Sequence, residues 1–300
     1  MPARRWVPPG PYDLHLTLKV LRRGGRDPAF RRQDGALWRA ARTPQGPVTL
    51  WIAAEAGAVT GEAWGPGADW VLETLPALLG AEDDPAAFVP RHRIVAQSAR
   101  CHPGLRLART GLVMEALVAS VLEQKVATRE AFAAWRRLLL RYGESAPGPA
   151  PDGMRVPPAP ATWARVPSWE WHRAGVDDKR ASTILRACRY APRLEEAAAM
   201  HLPDAMRRLQ LIPGIGPWTA AEALQRSNGA PDALTLGDLH LPGHIGYALT
   251  GRRDLDDTDM LHLLAPYTGQ RHRATRLILL TGRIPARREP RAPLGRITRL

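Results

Sequence analysis

Two hydrophobic periods divide the chain. In the first hundred residues the apolar positions fall in short alternating runs. Tyr12, Leu14, Leu16, Leu18 and Val20 alternate with Asp13, His15, Thr17 and Lys19, which predicts a half-buried strand. Similar runs predict strands over 36–42, 48–53 and 58–64, and the short turn-like segments TPQG and EAG between them imply antiparallel neighbours. Residues 69–79, closed by Gly80, predict a helix able to cover one face of that sheet. From Gly111 the period becomes helical and stays so. Helices are predicted over 111–124 and 128–142, interrupted around Lys125 to Ala127, then over 179–191, 204–210, 217–226, 244–249, 258–264 and 271–280. The Pro-rich segment 147–163 reads as a loop within the helical part. The class is therefore α+β: a small unit with an antiparallel sheet over residues 1–104, then a mostly helical unit over 105–282 and a basic tail over 283–300.

One stretch, 209–241, proposes chemistry. Ala205, Met206, Leu209 and Ile212 recur at helical spacing after Asp204, and Pro213 ends that helix. Gly214 and Gly216 bracket Ile215, which suits positive φ values or close approach of a ligand. Pro217 sits at a first helical position, and the Ala-rich run from Thr219 to Leu224 continues the helix. Such a hairpin presents a helix N-terminus to a phosphate without needing a basic side chain. An ordinary packing corner between two helices has the same pattern. Downstream, after the turn-rich 227–231, Asp238 stands among Thr235, Leu236, Gly237 and Leu239 just before another helical stretch. A helix cap and a functional carboxylate are both open readings for it.

Composition narrows the partners. The formal charge is +13, which favours a polyanion, and nucleic acid leads over membranes because no long apolar run or basic amphipathic helix occurs. Nearly all of the basic residues are Arg, with Lys at 19, 125 and 179, so a compositional bias toward Arg explains part of the charge. Cys101 and Cys188 are too few and too far apart for a zinc or four-cysteine iron–sulfur site, so no metal or cofactor is expected. The N-terminal MPARRWVPPGP lacks the apolar core of a signal peptide, and a cytoplasmic, nucleoid-associated bacterial monomer is expected. The acidic run Asp254, Asp256, Asp257 and Asp259 reads as a helix start. The tail from Arg283 carries six Arg among prolines and is expected to be disordered.

IPGIGPWTA followed by a Gly-Asp pair, with Asp238 22 positions after Gly216, resembles the helix-hairpin-helix DNA glycosylases, the HhH-GPD superfamily, and within it the DNA-3-methyladenine glycosylase II type. PPGPYDL at 8–14, HPGLRL at 102–107, VLEQ at 121–124 and DKRA at 178–181 extend the resemblance over nearly the whole chain. It implies a glycosylase that rotates a damaged nucleotide out of duplex DNA and hydrolyses its N-glycosidic bond, leaving an abasic site for base excision repair. Asp238 would be the catalytic anion beside an oxocarbenium-like sugar and would orient water. Gly214, Ile215, Gly216 and Thr219 would grip the DNA strand. Gln124 precedes the place where the family supplies its inserting side chain, here Lys125; a surface residue at a helix end is the other reading. Trp218, Glu222, Leu239 and Gln270 occupy what look like base-pocket positions, where the enteric members carry aromatic residues at the last three. Bifunctional relatives carry a Schiff-base Lys where this chain has Trp218, so no lyase activity is expected. Trp218 could stack on a cationic alkylated base such as 3-methyladenine or 7-methylguanine, or pack in the core, and Glu222 suits a cationic lesion. A non-catalytic lesion-binding or architectural protein would share the hairpin, with the carboxylate speaking against it; an oxidised-base glycosylase/lyase is disfavoured by the missing Lys.

Overall fold

The computed structural model describes residues 2–285. The N-terminal part runs β1 (Ala3–Trp6), α1 (Leu14–Leu18), β2 (Phe30–Gln33), β3 (Ala36–Thr43), β4 (Gly46–Glu55), β5 (Ala58–Trp64), α2 (Ala68–Glu73), α3 (Leu75–Leu78) and α4 (Arg93–Cys101). Its five strands form one antiparallel sheet in the order β1-β5-β4-β3-β2, with Leu37 opposite Ile52 and Trp38 opposite Trp51. Leu37, Leu50, Ile52 and Val59 from the sheet, with Val71, Leu75 and Leu79 from beneath it, make one core. The three strands predicted over 36–64 are present, each within two residues of its expected ends.

The half-buried strand predicted from Tyr12 is instead α1 and a 3-10 turn, Lys19–Leu21. Asp13 caps the helix, its carboxylate accepting the Leu16 N–H at 2.7 Å. Residues two apart on a helix point some 200° apart. Leu18 therefore enters the sheet core while Leu16 enters a second core with Val95, Ile245 and Leu277. A helix wedged between two cores shows the alternation of a strand. The helix predicted over 69–79 breaks into α2 and α3 at Thr74, whose hydroxyl donates back to the Trp70 carbonyl, and Pro76 follows with no N–H to continue the ladder.

The helical part runs α5 (Val113–Leu122), α6 (Thr128–Tyr142), the short pair β6 (Glu144–Ser145) and β7 (Arg155–Val156), α7 (Pro160–Trp163), α8 (Ser168–Ala174), α9 (Asp178–Arg189), α10 (Ala191–Glu195), α11 (Leu202–Gln210), α12 (Pro217–Ser227), α13 (Leu241–Thr250), α14 (Asp257–Leu264) and α15 (Arg271–Leu280). Segment 147–163 is more ordered than its prolines predict. Met154 and Val156 pack against Ala40 on the sheet face opposite α2, and Arg155 N–H donates to the Pro28 carbonyl. Helices α5, α9, α11 and α12 share a core of their own, including Leu117, Ile184, Leu209 and Leu224. Among the described residues no helix is long and apolar enough to cross a membrane. Most of the basic tail, residues 286–300, lies outside the described residues.

Candidate DNA-binding and catalytic site

The hairpin between α11 and α12 is anchored from below by apolar side chains and held from the side by polar ones. Leu209, Ile212 and Ile215 are buried in the helical core, so Ile215 offers only its backbone to the surface. Gly214 has φ +99°, and a Cβ there would lie 2.1 Å from the Thr183 hydroxyl on α9. Gly216 is different: its backbone is extended, and a Cβ would meet nothing within 4 Å. Two carbonyls of the turn accept hydrogen bonds from side chains of neighbouring elements. Arg186 Nε donates to Pro213 O at 3.1 Å, and Gln124 Nε2 donates to Gly214 O at 2.9 Å and to Thr219 Oγ1 at 2.7 Å. Beyond the turn α12 begins, with Pro217 in its first turn and the unpaired N–H groups with which every α-helix starts. Gln124 thus braces the hairpin from the end of α5. Lys125 comes next, exposed and at φ +53°, a conformation that costs a non-glycine residue about 1–3 kcal/mol.

Asp238 meets Trp218 at the other end of this surface. The indole Nε1–H of Trp218 donates to Asp238 Oδ2 at 3.0 Å, while Oδ1 accepts the backbone N–H groups of His240 at 2.8 Å and Leu241 at 2.9 Å. The carboxylate therefore braces the approach to α13 through Oδ1 and meets the hairpin helix through Oδ2. Partial burial alone would raise the Asp238 pKa, but the Trp218 N–H, the two backbone N–H groups and the His240 charge together outweigh it, and the net direction is downward. A carboxylate has about four acceptor sites, and three are taken, leaving capacity on Oδ2. Gly237 N–H donates to Asp257 Oδ2 at 2.7 Å, which ties the loop to the acidic start of α14, itself capped by Asp256.

The other expected pocket residues are spread out. Leu239, beside the carboxylate, is 88% exposed. Glu222 lies one turn beyond Trp218 on α12 and is paired with Arg226 at 2.7 Å, its other oxygen accepting the Thr235 hydroxyl at 2.9 Å. Gln270 precedes α15 and accepts from Arg273 Nε at 2.9 Å. Sequence reasoning passed over Thr183, Arg186, Gln225, Arg226, Thr235 and His240. The polar stripe Trp218, Glu222, Gln225 on α12, spaced four and three residues apart, was the available signal for the contacts with 233–238. His240 and His244, whose rings stack with centroids 6.0 Å apart, carried none.

No protein-family model matches the chain. A probable bifunctional transcriptional activator/DNA repair enzyme AlkA of Mycobacterium tuberculosis is 33% identical over 174 residues, 55% of this chain and 34% of that protein. The chain thus spans about a third of the length of the curated relatives it matches. Among solved structures, a 3-methyladenine DNA-glycosylase from Archaeoglobus fulgidus has a TM-score of 0.73 over 92% of this chain and 97% of its own, at 17% identity. An 8-oxoguanine glycosylase/lyase of Clostridium acetobutylicum, bound to double-stranded DNA with cytosine opposite 8-oxoG, has a TM-score of 0.70 over 91% of this chain and 92% of its own, at 11% identity. The chain shares the fold of these two DNA glycosylases. Its sequence relative carries the AlkA name.

Proposed function

We propose that the chain is a monofunctional DNA glycosylase that excises alkylated bases of the 3-methyladenine and 7-methylguanine class from duplex DNA. The observation that carries this is Asp238: an ionised carboxylate fixed by three N–H groups, beside an indole and next to a glycine-opened helix N-terminus. The hairpin N–H groups grip a strand phosphate, and the open space over Gly216 lets the strand come close. Lys125, held out by its left-handed backbone, fills the gap left by the everted nucleotide. Trp218 stacks on the base. As the C1′–N bond breaks, the base takes the bonding electrons and Asp238 stabilises the positive charge on the sugar; water then adds at C1′ and gives up a proton. An alkylated purine leaves as a cation neutralised by that electron pair, so no second acid is needed. The division of the chain at residue 104 belongs to the same reading.

The test is incubation with duplex DNA carrying 3-methyladenine or 7-methylguanine. Free base and an intact strand with an abasic site are expected. Borohydride trapping should give no covalent adduct, because no Lys lies between 209 and 241. Strand cleavage with a trapped adduct would make the chain a lyase, and DNA binding without release would make it a binding protein. A second prediction concerns pH. The Trp218 N–H helps hold the Asp238 pKa down, so the active ionised form persists into acid. Trp218→Phe removes that donor, and the acid limb of kcat/KM should move to higher pH. An unmoved limb would disconnect Trp218 from the carboxylate.

A further inference from the structure

The loop that carries Asp238 lies along α12 in reverse order, joined to it at each turn of the helix. Gln225 Nε2 donates to Ala233 O and to Thr235 Oγ1, both at 2.8 Å. The Thr235 hydroxyl in turn donates to Glu222 Oε1 at 2.9 Å, and Trp218 Nε1–H donates to Asp238 Oδ2 at 3.0 Å. Residues 225, 222 and 218 descend one face of the helix while 233, 235 and 238 climb the loop. Behind this row Arg226 Nη1 donates to the Glu222 carboxylate at 2.7 Å and to the Glu222 carbonyl at 2.6 Å, and Arg226 Nε donates to Val20 O at 3.2 Å on the segment after α1. Glu222 and Arg226 are largely buried.

Each group in the row has a partner, and the Thr235 hydroxyl is both acceptor and donor. We propose that Thr235 and Glu222 are positioning residues for Asp238: they hold the carboxylate loop at a fixed height on the hairpin helix and do not contact DNA. This rests on the glycosylase reading. It assigns Glu222 to the protein scaffold, although that position reads from sequence as part of the base pocket. Without the Thr235 link the loop would hang from α12 by Trp218 and the Gln225–Ala233 contact. The carboxylate would then be displaced from the sugar, and displacement of about 1 Å costs on the order of a hundredfold in rate.

Thr235→Val keeps the side-chain shape and removes the hydroxyl; Thr235→Ser keeps the hydroxyl. Single-turnover release of 3-methyladenine and 7-methylguanine should fall between about tenfold and a hundredfold in Thr235→Val, with KM for DNA unchanged and Thr235→Ser near wild type. Glu222→Gln should lower release of both bases by the same factor. Amide exchange read in the absence of DNA gives a second measure. The His240 and Leu241 N–H groups, held by Asp238, should exchange faster in Thr235→Val and at the wild-type rate in Thr235→Ser. A wild-type chain that releases no base removes the glycosylase reading, while the exchange rates still decide whether Thr235 holds the loop. Equal impairment of the Ser and Val variants, or unchanged exchange in Thr235→Val, overturns the positioning role. A change in the ratio of the two bases released by Glu222→Gln overturns it too, and makes Glu222 a reader of the base.

Discussion

Asp238→Asn is expected to lower base release by at least about a hundredfold at neutral pH, the cost of removing one preorganised charge-stabilising group from an active site. The substitution keeps the size of the side chain. Its amide oxygen can still accept the His240 and Leu241 N–H groups, so the start of α13 stays capped. Its NH₂ group then faces the Trp218 N–H, donor against donor, where the carboxylate accepted at 3.0 Å. The negative charge proposed to act on the sugar is lost together with one hydrogen bond. DNA affinity should not fall, since on the proposed reading removing an anion from a surface that meets phosphates weakens a repulsion. Single-turnover release measured alongside duplex binding separates the two effects. Release at the wild-type rate in the Asn variant would remove Asp238 from the chemistry and leave it as a cap.

The fold was legible where one side of an element faces one core. Strands β3 to β5 send Leu37, Ala41, Leu50, Ile52 and Val59 into one large core, and α6 carries Ala131, Ala134, Trp135, Leu138 and Leu139 along one side, so period placed these elements within about two residues. It failed at α1, where Leu16 and Leu18 enter different cores and helical residues alternate like those of a strand. It failed at 147–163 for another reason. Nothing in a Pro-rich segment announces that the outer face of a distant sheet will receive Met154 and Val156. Helices α4 and α8 were missed in the same way: Val95 meets a partner 150 residues on in Ile245, and the segment around α8 buries two stacked indoles, Trp163 and Trp171.

At the site, residue types and spacing pointed to the hairpin, to Trp218 and to Asp238. The sequence also held both roles of the carboxylate, cap and candidate catalyst, without the means to choose. In the structure one oxygen accepts the N–H groups that precede α13 and the other accepts the indole N–H. The supporting contacts were invisible for a physical reason. Gln124 on Gly214, Arg186 on Pro213 and Arg226 on Val20 are side chain to carbonyl bonds. A carbonyl oxygen has no residue identity, so no pattern of residue types marks it as a partner.

Gly214→Ala is expected to weaken duplex binding by about tenfold or more. Two costs add at this position. The backbone stands at φ +99°, a region that costs an L side chain about 1–3 kcal/mol, and about 1.4 kcal/mol is tenfold in affinity. The new methyl group would also sit 2.1 Å from Thr183 Oγ1. That hydroxyl cannot simply turn away: it donates to the Lys179 carbonyl at 2.8 Å and accepts from Arg186 at 3.2 Å, while Arg186 itself holds the Pro213 carbonyl. The turn must therefore lift off α9, and the N–H groups at the start of α12 lose their aim. Gly216→Ala separates this effect from direct contact with DNA. Its extended backbone and empty surroundings let alanine in without strain, so thermal stability should hold and any loss of affinity reports a strand lying against that residue. Thr183→Ala combined with Gly214→Ala should recover part of the lost binding, since the collision is removed and the backbone cost remains. Wild-type affinity in Gly214→Ala would mean that the hairpin does not grip DNA through its backbone.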